Sequence, residues 1–177
     1  VQAAADGTVR AIRNDMPDAS PGAGPTPGID GREAGNAVAI RHGGGWETQY
    51  SHLRRGSVRV RPGQEVRKGQ PLGVVGLSGN TEFPHLHFAV RHHGETLDPF
   101  TGLPLESSCG KSKGGNLWDA EAKVQLRYLG TGVLGTGFTG APPRQGAAHG
   151  FNEQRDTLPD NATAVVFWFK AFGIKPG

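Results

Sequence analysis

The sequence predicts an all-β protein built from an antiparallel sheet of short strands. Glycine and proline are abundant, with 29 Gly and 13 Pro among 177 residues. Such frequent turn formers favour short strands over helices. Several segments alternate apolar and polar side chains with a period of two, as half-buried strands do. No long apolar helical pattern occurs before the C-terminal tail.

The predicted strands follow one another through the first 100 residues. In order, they are residues 1–12, 36–41, 46–52, 58–61, two short strands of a turn-rich unit at 62–76, then 84–88 and 96–100. Val38 and Ile40 fall on one face of their strand, because successive side chains point to opposite faces. By the same rule Thr48, Tyr50 and His52 share a face, and His52 lies at the strand end, where a side chain can reach into a groove.

Residues 14–35 interrupt this pattern of strands. They are rich in proline, glycine and alanine and cannot form a packed element. We predict a long exposed loop inserted between two strands. Its composition alone favours a spacer without chemistry.

The second half of the chain differs in its pattern of residues. Residues 106–116 are predicted to be a linker, and residues 124–129 and 164–169 to be strands, the second of them strongly apolar and buried. An apolar strand near a terminus would be an aggregation hazard as an open edge, so we expect the natural chain to continue. We therefore predict one domain over residues 1–102, and a linker with a partial β-rich domain over residues 103–177.

Charge and cysteine content exclude several classes of function. The net charge is +3 and the pI about 9.3, but basic residues are dispersed among acids, which does not indicate a nucleic-acid surface. No apolar run is long enough for a membrane span. The single cysteine, Cys109, excludes an internal disulfide and a multi-cysteine zinc site. A metal site would have to use histidines and carboxylates.

The strongest local signal for chemistry is the pair His85 and His87, in the sequence Pro-His-Leu-His-Phe. In a strand both imidazoles would project to one face, and Leu86 and Phe88 would anchor the other. Neutral imidazole is a common metal ligand, so one histidine could bind a metal and the other act on what the metal holds. An isolated pair is as often a solvated strand face. The turn-rich loop at residues 76–83, which leads into the strand, favours a site.

Several linked motifs carry a resemblance to a known family. They are HGxG at residues 42–45, TxYxHL at 48–53, the doubled Gly-Gln unit at 63–73, SGN at 78–80 and PHLHF at 84–88. In order and spacing they resemble the lysostaphin-type (LytM-type) zinc endopeptidases that cut bacterial peptidoglycan. The match covers about residues 1–100, and it implies a lysostaphin-like antiparallel sheet of the barrel-sandwich hybrid type.

The resemblance also implies roles for three histidines. It implies a zinc ion held by three protein groups, with His87 as one ligand. His52 and His85 correspond to the catalytic histidines of the family. Zinc would make water a better nucleophile, and the flanking imidazoles could take its proton or stabilise the oxyanion.

The chain departs from the family at the other zinc ligands. The family supplies them from a His-x-x-x-Asp motif before the opening strand, whereas the first histidine here is His42. Either the motif precedes Val1 in the natural protein, as we expect because both ends look cut, or the protein is a non-catalytic relative. A third alternative is that Asp30 or Glu33 replaces the missing ligands.

The resemblance leads us to expect zinc-dependent hydrolysis of peptide bonds in peptidoglycan stems or cross-bridges, in the periplasm or outside the cell. The alternative is a non-catalytic module that contacts the cell wall or other wall hydrolases through a groove floored by Trp46, Tyr50 and His52. The Gly-Gln unit also resembles biotin and lipoyl carrier domains. Those domains present a lysine at a hairpin tip, whereas Lys68 lies between the two Gly-Gln pairs, which argues against that reading.

Overall fold

The computed structural model describes residues 1–19, 29–81, 84–105 and 115–126, and the backbone of two later strands. The strands are β1 (Gly7–Arg13), β2 (Asn36–Gly43), β3 (Trp46–Leu53), β4 (Glu65–Val66), β5 (His87–His92), β6 (Glu95–Leu97), β7 (Gly132–Thr139) and β8 (Val166–Phe172). One helix, α1 (Ala120–Gln125), lies between β6 and β7 in the chain. No helix in the described ranges is long and apolar enough to cross a membrane.

Six strands form one antiparallel sheet in the order β4-β1-β2-β3-β5-β6. Over the described residues β4 and β6 are not paired with each other, so the sheet is open rather than closed. β7 and β8 pair as a separate antiparallel hairpin. The predicted all-β antiparallel class is confirmed.

The core lies on one face of this sheet. Val38 and Ile40 of β2 pair with Tyr50 and Thr48 of β3, and all four side chains are buried. This arrangement confirms the predicted faces of both strands. The remaining members of the core cluster are Ala3, Val9, Leu53, Val60, Val66 and Leu72. Burial of these side chains supplies the main drive for folding.

The doubled Gly-Gln unit forms two turns of the same design. Gly63 and Gly69 both have φ near +80°, a region open to glycine because it lacks a Cβ atom. The side chains of Gln64 and Gln70 accept the backbone N–H groups three residues earlier, at 3.2 and 3.1 Å. The carbonyl of Gln70 also accepts the N–H of Ala3 at 3.0 Å, which attaches the N-terminal segment to this unit.

Two predicted strands are wrong, and the turn-rich unit at residues 62–76 contains one short strand, β4, rather than two. Residues 58–61 form no strand, although Arg59 donates one backbone hydrogen bond to Leu72 at 2.9 Å. Residues 124 and 125, predicted as strand, end helix α1, whose first N–H groups are capped by Asp119: its Oδ1 accepts the Ala122 N–H at 2.8 Å. This cap overrides a weak alternation of side chains. Residues 127–130 lie outside the described part of the chain.

The segment before α1 packs against the main sheet. The indole of Trp118 contacts the rings of Phe88 and Phe100, with centroids 5.4 and 6.0 Å away, and Lys68 forms an ion pair with Asp119. In the second hairpin, β8 confirms the strand predicted at residues 164–169, shifted toward the C-terminus. The partner strand β7 was not predicted, because its three glycines indicate turns. Cys109 and residues 106–114 of the predicted linker lie outside the described ranges.

The described edges of the inserted loop are held in place rather than being a spacer. The Asp18 carboxylate accepts backbone N–H groups from Leu77 at 2.7 Å and Arg55 at 3.0 Å. Asn14 Oδ1 accepts the N–H of Val58 at 3.1 Å. Short polar side chains can satisfy backbone donors in this way, which composition alone does not reveal. Residues 20–28 of the loop lie outside the described residues.

Candidate active site

Three histidines meet at one end of the β3–β5 strand pair. The ring centroid of His52, near the end of β3, is 4.8 Å from that of His85 and 5.7 Å from that of His87. His87 begins β5, and its backbone is paired with Ser51, the neighbour of His52. The structure therefore brings together all three histidines that the sequence singled out.

The imidazole of His52 is held in one orientation. Its backbone has φ of +60°, unusual for a residue other than glycine, and its N–H donates to the carbonyl of Ala34 at 2.9 Å. The side chain is only 4% exposed, and Nδ1 lies 2.9 Å from the carbonyl oxygen of Ser78. Because a carbonyl oxygen can only accept, Nδ1 carries the proton. In the neutral ring, Nε2 is therefore left as the proton acceptor.

Burial is the largest influence on the pKa of His52 and lowers it from the ordinary value of 6.5. The hydrogen bond to Ser78 opposes this effect because it favours the protonated ring. The neighbouring imidazoles of His85 and His87 lower the pKa further. The net shift is downward, so His52 is neutral at neutral pH.

Ser78 is itself fixed by buried hydrogen bonds. Its Oγ accepts the N–H of Asn36 at 2.8 Å and donates to the carbonyl of Leu53 at 2.6 Å. The amide of Asn36 donates to the carbonyls of Leu53 and Met16 at 3.1 and 2.8 Å. Asn36 and Ser78 are fully buried. The sequence places Ser78 in a motif but predicts no role for it or for Asn36, because their partners are distant in the chain.

His85 and His87 do not share a regular strand, contrary to the prediction. β5 begins only at His87, and Pro84 has no N–H of its own to donate to a strand ladder. His85 lies before the strand, with Nδ1 3.2 Å from Thr81 Oγ1. The predicted apolar floor is also wrong at Leu86, which is 38% exposed. Phe88 does face inward, against the ring of Tyr50 at 5.3 Å.

Two further residues of the motifs, His42 and Tyr50, stabilise the N-terminal segment. His42 Nδ1 donates to the carbonyl of Asp6 at 2.7 Å, and its Nε2 lies 2.7 Å from Thr48 Oγ1. Thr48 is in turn hydrogen-bonded to the hydroxyl of Tyr50 at 3.2 Å, and that hydroxyl accepts the N–H of Ala4 at 2.7 Å. This connected network is structural, and buried polar groups of this kind rigidify a core.

The described residues fit part of a zinc site. A neutral imidazole such as His87 is a good zinc ligand, but a catalytic zinc needs three protein ligands. No three His, Cys, Asp or Glu side chains converge as a metal site within the described ranges. Glu33 accepts the N–H of Gly31 in its own turn, at 2.9 Å. Within these ranges the residues therefore do not complete a catalytic zinc ligand set, and His87 would be one candidate ligand.

The sheet and the histidine cluster define a peptidase-like domain of the LytM and lysostaphin type. Residues 1–99 match the family model described as Peptidase family M23. The chain belongs to this family, and the resemblance found in the sequence is confirmed.

Individual relatives align with the same part of the chain. The cell division protein DipM of Caulobacter vibrioides is 38% identical over 76 residues, 40% of this chain and 12% of DipM. The peptidoglycan DD-endopeptidase ShyA of Vibrio cholerae is 36% identical over 81 residues, 45% of this chain and 18% of ShyA. The chain thus spans less than a fifth of these two curated relatives.

Solved structures show similar partial matches. A zinc containing peptidase from Vibrio cholerae is 30% identical, with a TM-score of 0.40, and the match covers 53% of this chain and 24% of that one. The catalytic domain of lysostaphin from Staphylococcus simulans is 23% identical, with a TM-score of 0.42, and the match covers 56% of this chain and 65% of that one.

Proposed function

We propose that the protein is a zinc-dependent endopeptidase that hydrolyses peptide bonds in peptidoglycan stem or cross-bridge peptides. The observation that carries this proposal is the buried His52, whose Nδ1–H is committed to Ser78 while its ring lies beside His85 and His87. Membership of Peptidase family M23 and the similarity to a peptidoglycan DD-endopeptidase support it. Such a substrate places the protein in the periplasm or outside a bacterial cell.

Each histidine has a proposed role. His52 takes a proton at Nε2 from the water that attacks the scissile carbonyl, because Nδ1 is already used, and it returns this proton to the leaving amine. His85, whose ring centroid is 4.8 Å from that of His52, donates a hydrogen bond to the oxyanion that develops on the substrate carbonyl. His87 is one ligand of the zinc ion. When bound, zinc supplies Lewis-acid chemistry and activates water.

The remaining ligands are proposed to come from the His-x-x-x-Asp segment that the family places before its opening strand. The test compares the 177-residue chain with the same chain extended at Val1 by such a segment. Zinc is measured by elemental analysis after dialysis, and hydrolysis by release of soluble fragments from purified peptidoglycan. We expect near-stoichiometric zinc and hydrolysis in the extended chain. Absence of both from the extended chain would refute the proposal.

Two variants of the extended chain separate the proposed roles. His87→Ala should lose zinc and hydrolysis together, because it removes a ligand. His85→Ala should lose hydrolysis and keep its zinc. His93→Ala is the matched control, since His93 is exposed in the β5–β6 turn and should keep both properties. Loss of zinc from His85→Ala would show that the two roles are wrongly divided.

A second candidate is a non-catalytic module that binds the cell wall or other wall hydrolases. It is favoured by the incomplete ligand set in the described part of the chain, and one relative is named as a cell division protein. This function predicts that the extended chain cosediments with purified peptidoglycan while holding little zinc and releasing no fragments.

A further inference from the structure

The sheet face that carries His87 leads away from the histidines into a charged cleft. Alternation along β5 places His87, Ala89 and Arg91 on one face, and their partners on β3 are Ser51, Gln49 and Glu47. The cleft opens where β3 and β5 reach their Glu47 and Arg91 positions, and has a volume of about 470 Å³. Gly43, Gly45 and Gly94 contribute to its walls and leave it accessible.

Two arginines of this cleft are fixed by one carboxylate. Arg10 Nη1 lies 3.1 and 3.0 Å from the two oxygens of Glu47. Arg91 Nη1 lies 3.9 Å from Glu47 and donates to Gln49 Oε1 at 3.0 Å. The side chain of Glu47 is only 17% exposed. Glu47 therefore orients Arg10, whereas Arg91 is oriented by its hydrogen bond to Gln49, and the single carboxylate balances only one of the two guanidinium charges.

The third arginine, Arg41, has a different environment. It is paired directly across from Glu47 in the β2–β3 register, so both side chains start from the same face. Arg41 is exposed, and its side chain has no hydrogen-bond or ion-pair partner in the part of the chain that the structure describes. Three guanidinium groups against one carboxylate leave an excess of positive charge in the cleft.

We propose that this cleft binds a carboxylate of the peptide substrate, with Arg41 as its main ligand and Arg91 in support. A guanidinium group matches a carboxylate in shape and donates two parallel hydrogen bonds to it. The proposal rests on the proposed function, because it extends the path of the substrate from the histidines along the sheet.

The geometry sets the position of this carboxylate in the substrate. Arg91 lies four residues after His87 on β5, about 13 Å at 3.3 Å per residue. An extended peptide covers that distance in about four residues. Between the two ends the face carries Ala39 and Ala89 on either side of Gln49, whose side chain is hydrogen-bonded to Ser51 and Arg91. Arg41 lies two strands from Arg91, about 10 Å at about 4.8 Å per strand spacing. The carboxylate that Arg41 binds is therefore about four to five residues from the bond that is cut.

Binding of short peptides tests the proposal without requiring hydrolysis. The probes are acetyl-tetraglycyl-D-alanine as the free acid, the same peptide as its C-terminal amide, and an amidated peptide with glutamate in the last position. Affinity is measured by calorimetry on the 177-residue chain. We expect the free acid to bind about tenfold more tightly than its amide. The glutamate peptide shows whether a side-chain carboxylate serves as well as a terminal one.

The variant Arg41→Gln should remove the preference for the free acid. Arg61→Gln is the matched control. Arg61 is also exposed and its replacement changes the net charge equally, but Arg61 does not line the cleft. The Arg61→Gln variant should keep the preference for the free acid over the amide. Equal affinities for acid and amide, equal weakening by the two variants, or no binding of any peptide would overturn the proposal. Hydrolysis by the extended chain without a carboxylate preference would overturn this inference and leave the proposed function standing.

Discussion

His52 Nδ1 donates a hydrogen bond of 2.9 Å to the carbonyl oxygen of Ser78, across 26 residues of sequence. This bond sets which nitrogen of the imidazole carries the proton and where the ring points. Ser78 in turn is held by Asn36 and Leu53. The loop that contains Ser78 therefore belongs to the site as much as the histidines do.

Replacing Ser78 by alanine should destabilise the fold. The change leaves the buried N–H of Asn36 without an acceptor, and such an orphaned donor costs about 1–3 kcal/mol of unfolding free energy. The measurement is urea unfolding. Ser57→Ala is the matched control, because the hydroxyl of Ser57 makes exposed hydrogen bonds with Val74, and it should change stability by less than about 0.5 kcal/mol. Equal losses in the two variants would contradict the role assigned to Ser78.

Gly35→Ala should cost more stability than Gly31→Ala. Both glycines have positive φ, +62° and +73°, so each substitution pays a left-handed strain of about 1–2 kcal/mol. A Cβ atom on Gly35 would also collide with the backbone of Ser78, whereas one on Gly31 meets open space. Urea unfolding of both variants isolates the cost of this collision. Equal losses of stability in the two variants would mean that the loop of Ser78 moves to accommodate the new Cβ atom and does not fix the position of His52.

Stability should fall at alkaline pH through Tyr50. Burial raises the pKa of Tyr50 above its ordinary value of 10.0, and the side chain is 1% exposed. At pH values between the tyrosine pKa of the unfolded chain and the higher pKa of Tyr50 in the folded chain, the unfolded chain releases the phenolic proton while the folded chain keeps it. Stability therefore decreases as pH rises through this range. Unfolding free energies between pH 8 and 11, values that span the ordinary tyrosine pKa of about 10, should fall more steeply for the native chain than for Tyr50→Phe. Parallel profiles would contradict the prediction.

Asp119 should stabilise helix α1 both as its N-cap and through its ion pair with Lys68. Asp119→Ala removes both the N-cap and the ion pair with Lys68, whereas Lys68→Gln removes only the ion pair. Amide exchange at Ala122 should therefore accelerate more in Asp119→Ala. The hydrogen bonds of Asp119, first that with Lys68, lower the pKa of its carboxyl group in the folded chain. The cap therefore stabilises the helix fully at pH values above the pKa of Asp119 in the unfolded chain. This stabilisation is lost as the pH falls through the lower pKa of the folded chain. Similar exchange in both variants would mean that the cap contributes nothing.

Much of the fold was predictable because it rests on local patterns. The alternation in β2 and β3 predicted their buried faces, and the glycines of the Gly-Gln unit predicted its turns. Residues 58–61 also alternate, yet Arg59 donates one backbone hydrogen bond to Leu72, Arg61 accepts one from Gln64 in the next turn, and no ladder forms. Alternation of apolar and polar residues predicts which face a strand would bury. A strand also needs a neighbouring strand to pair with, and the alternation does not indicate whether one is available.

The sequence by itself determined the family, the antiparallel β class and the identity of the three histidines, since each depends on residue types at short spacings. Only the tertiary structure decided where these side chains lie and what they contact. It placed His52 against Ser78 and Arg41 across from Glu47, contacts between segments that are distant in the chain. Such contacts depend on how strands pair and loops pack, and hydrogen bonds between distant segments leave no periodic pattern in the sequence.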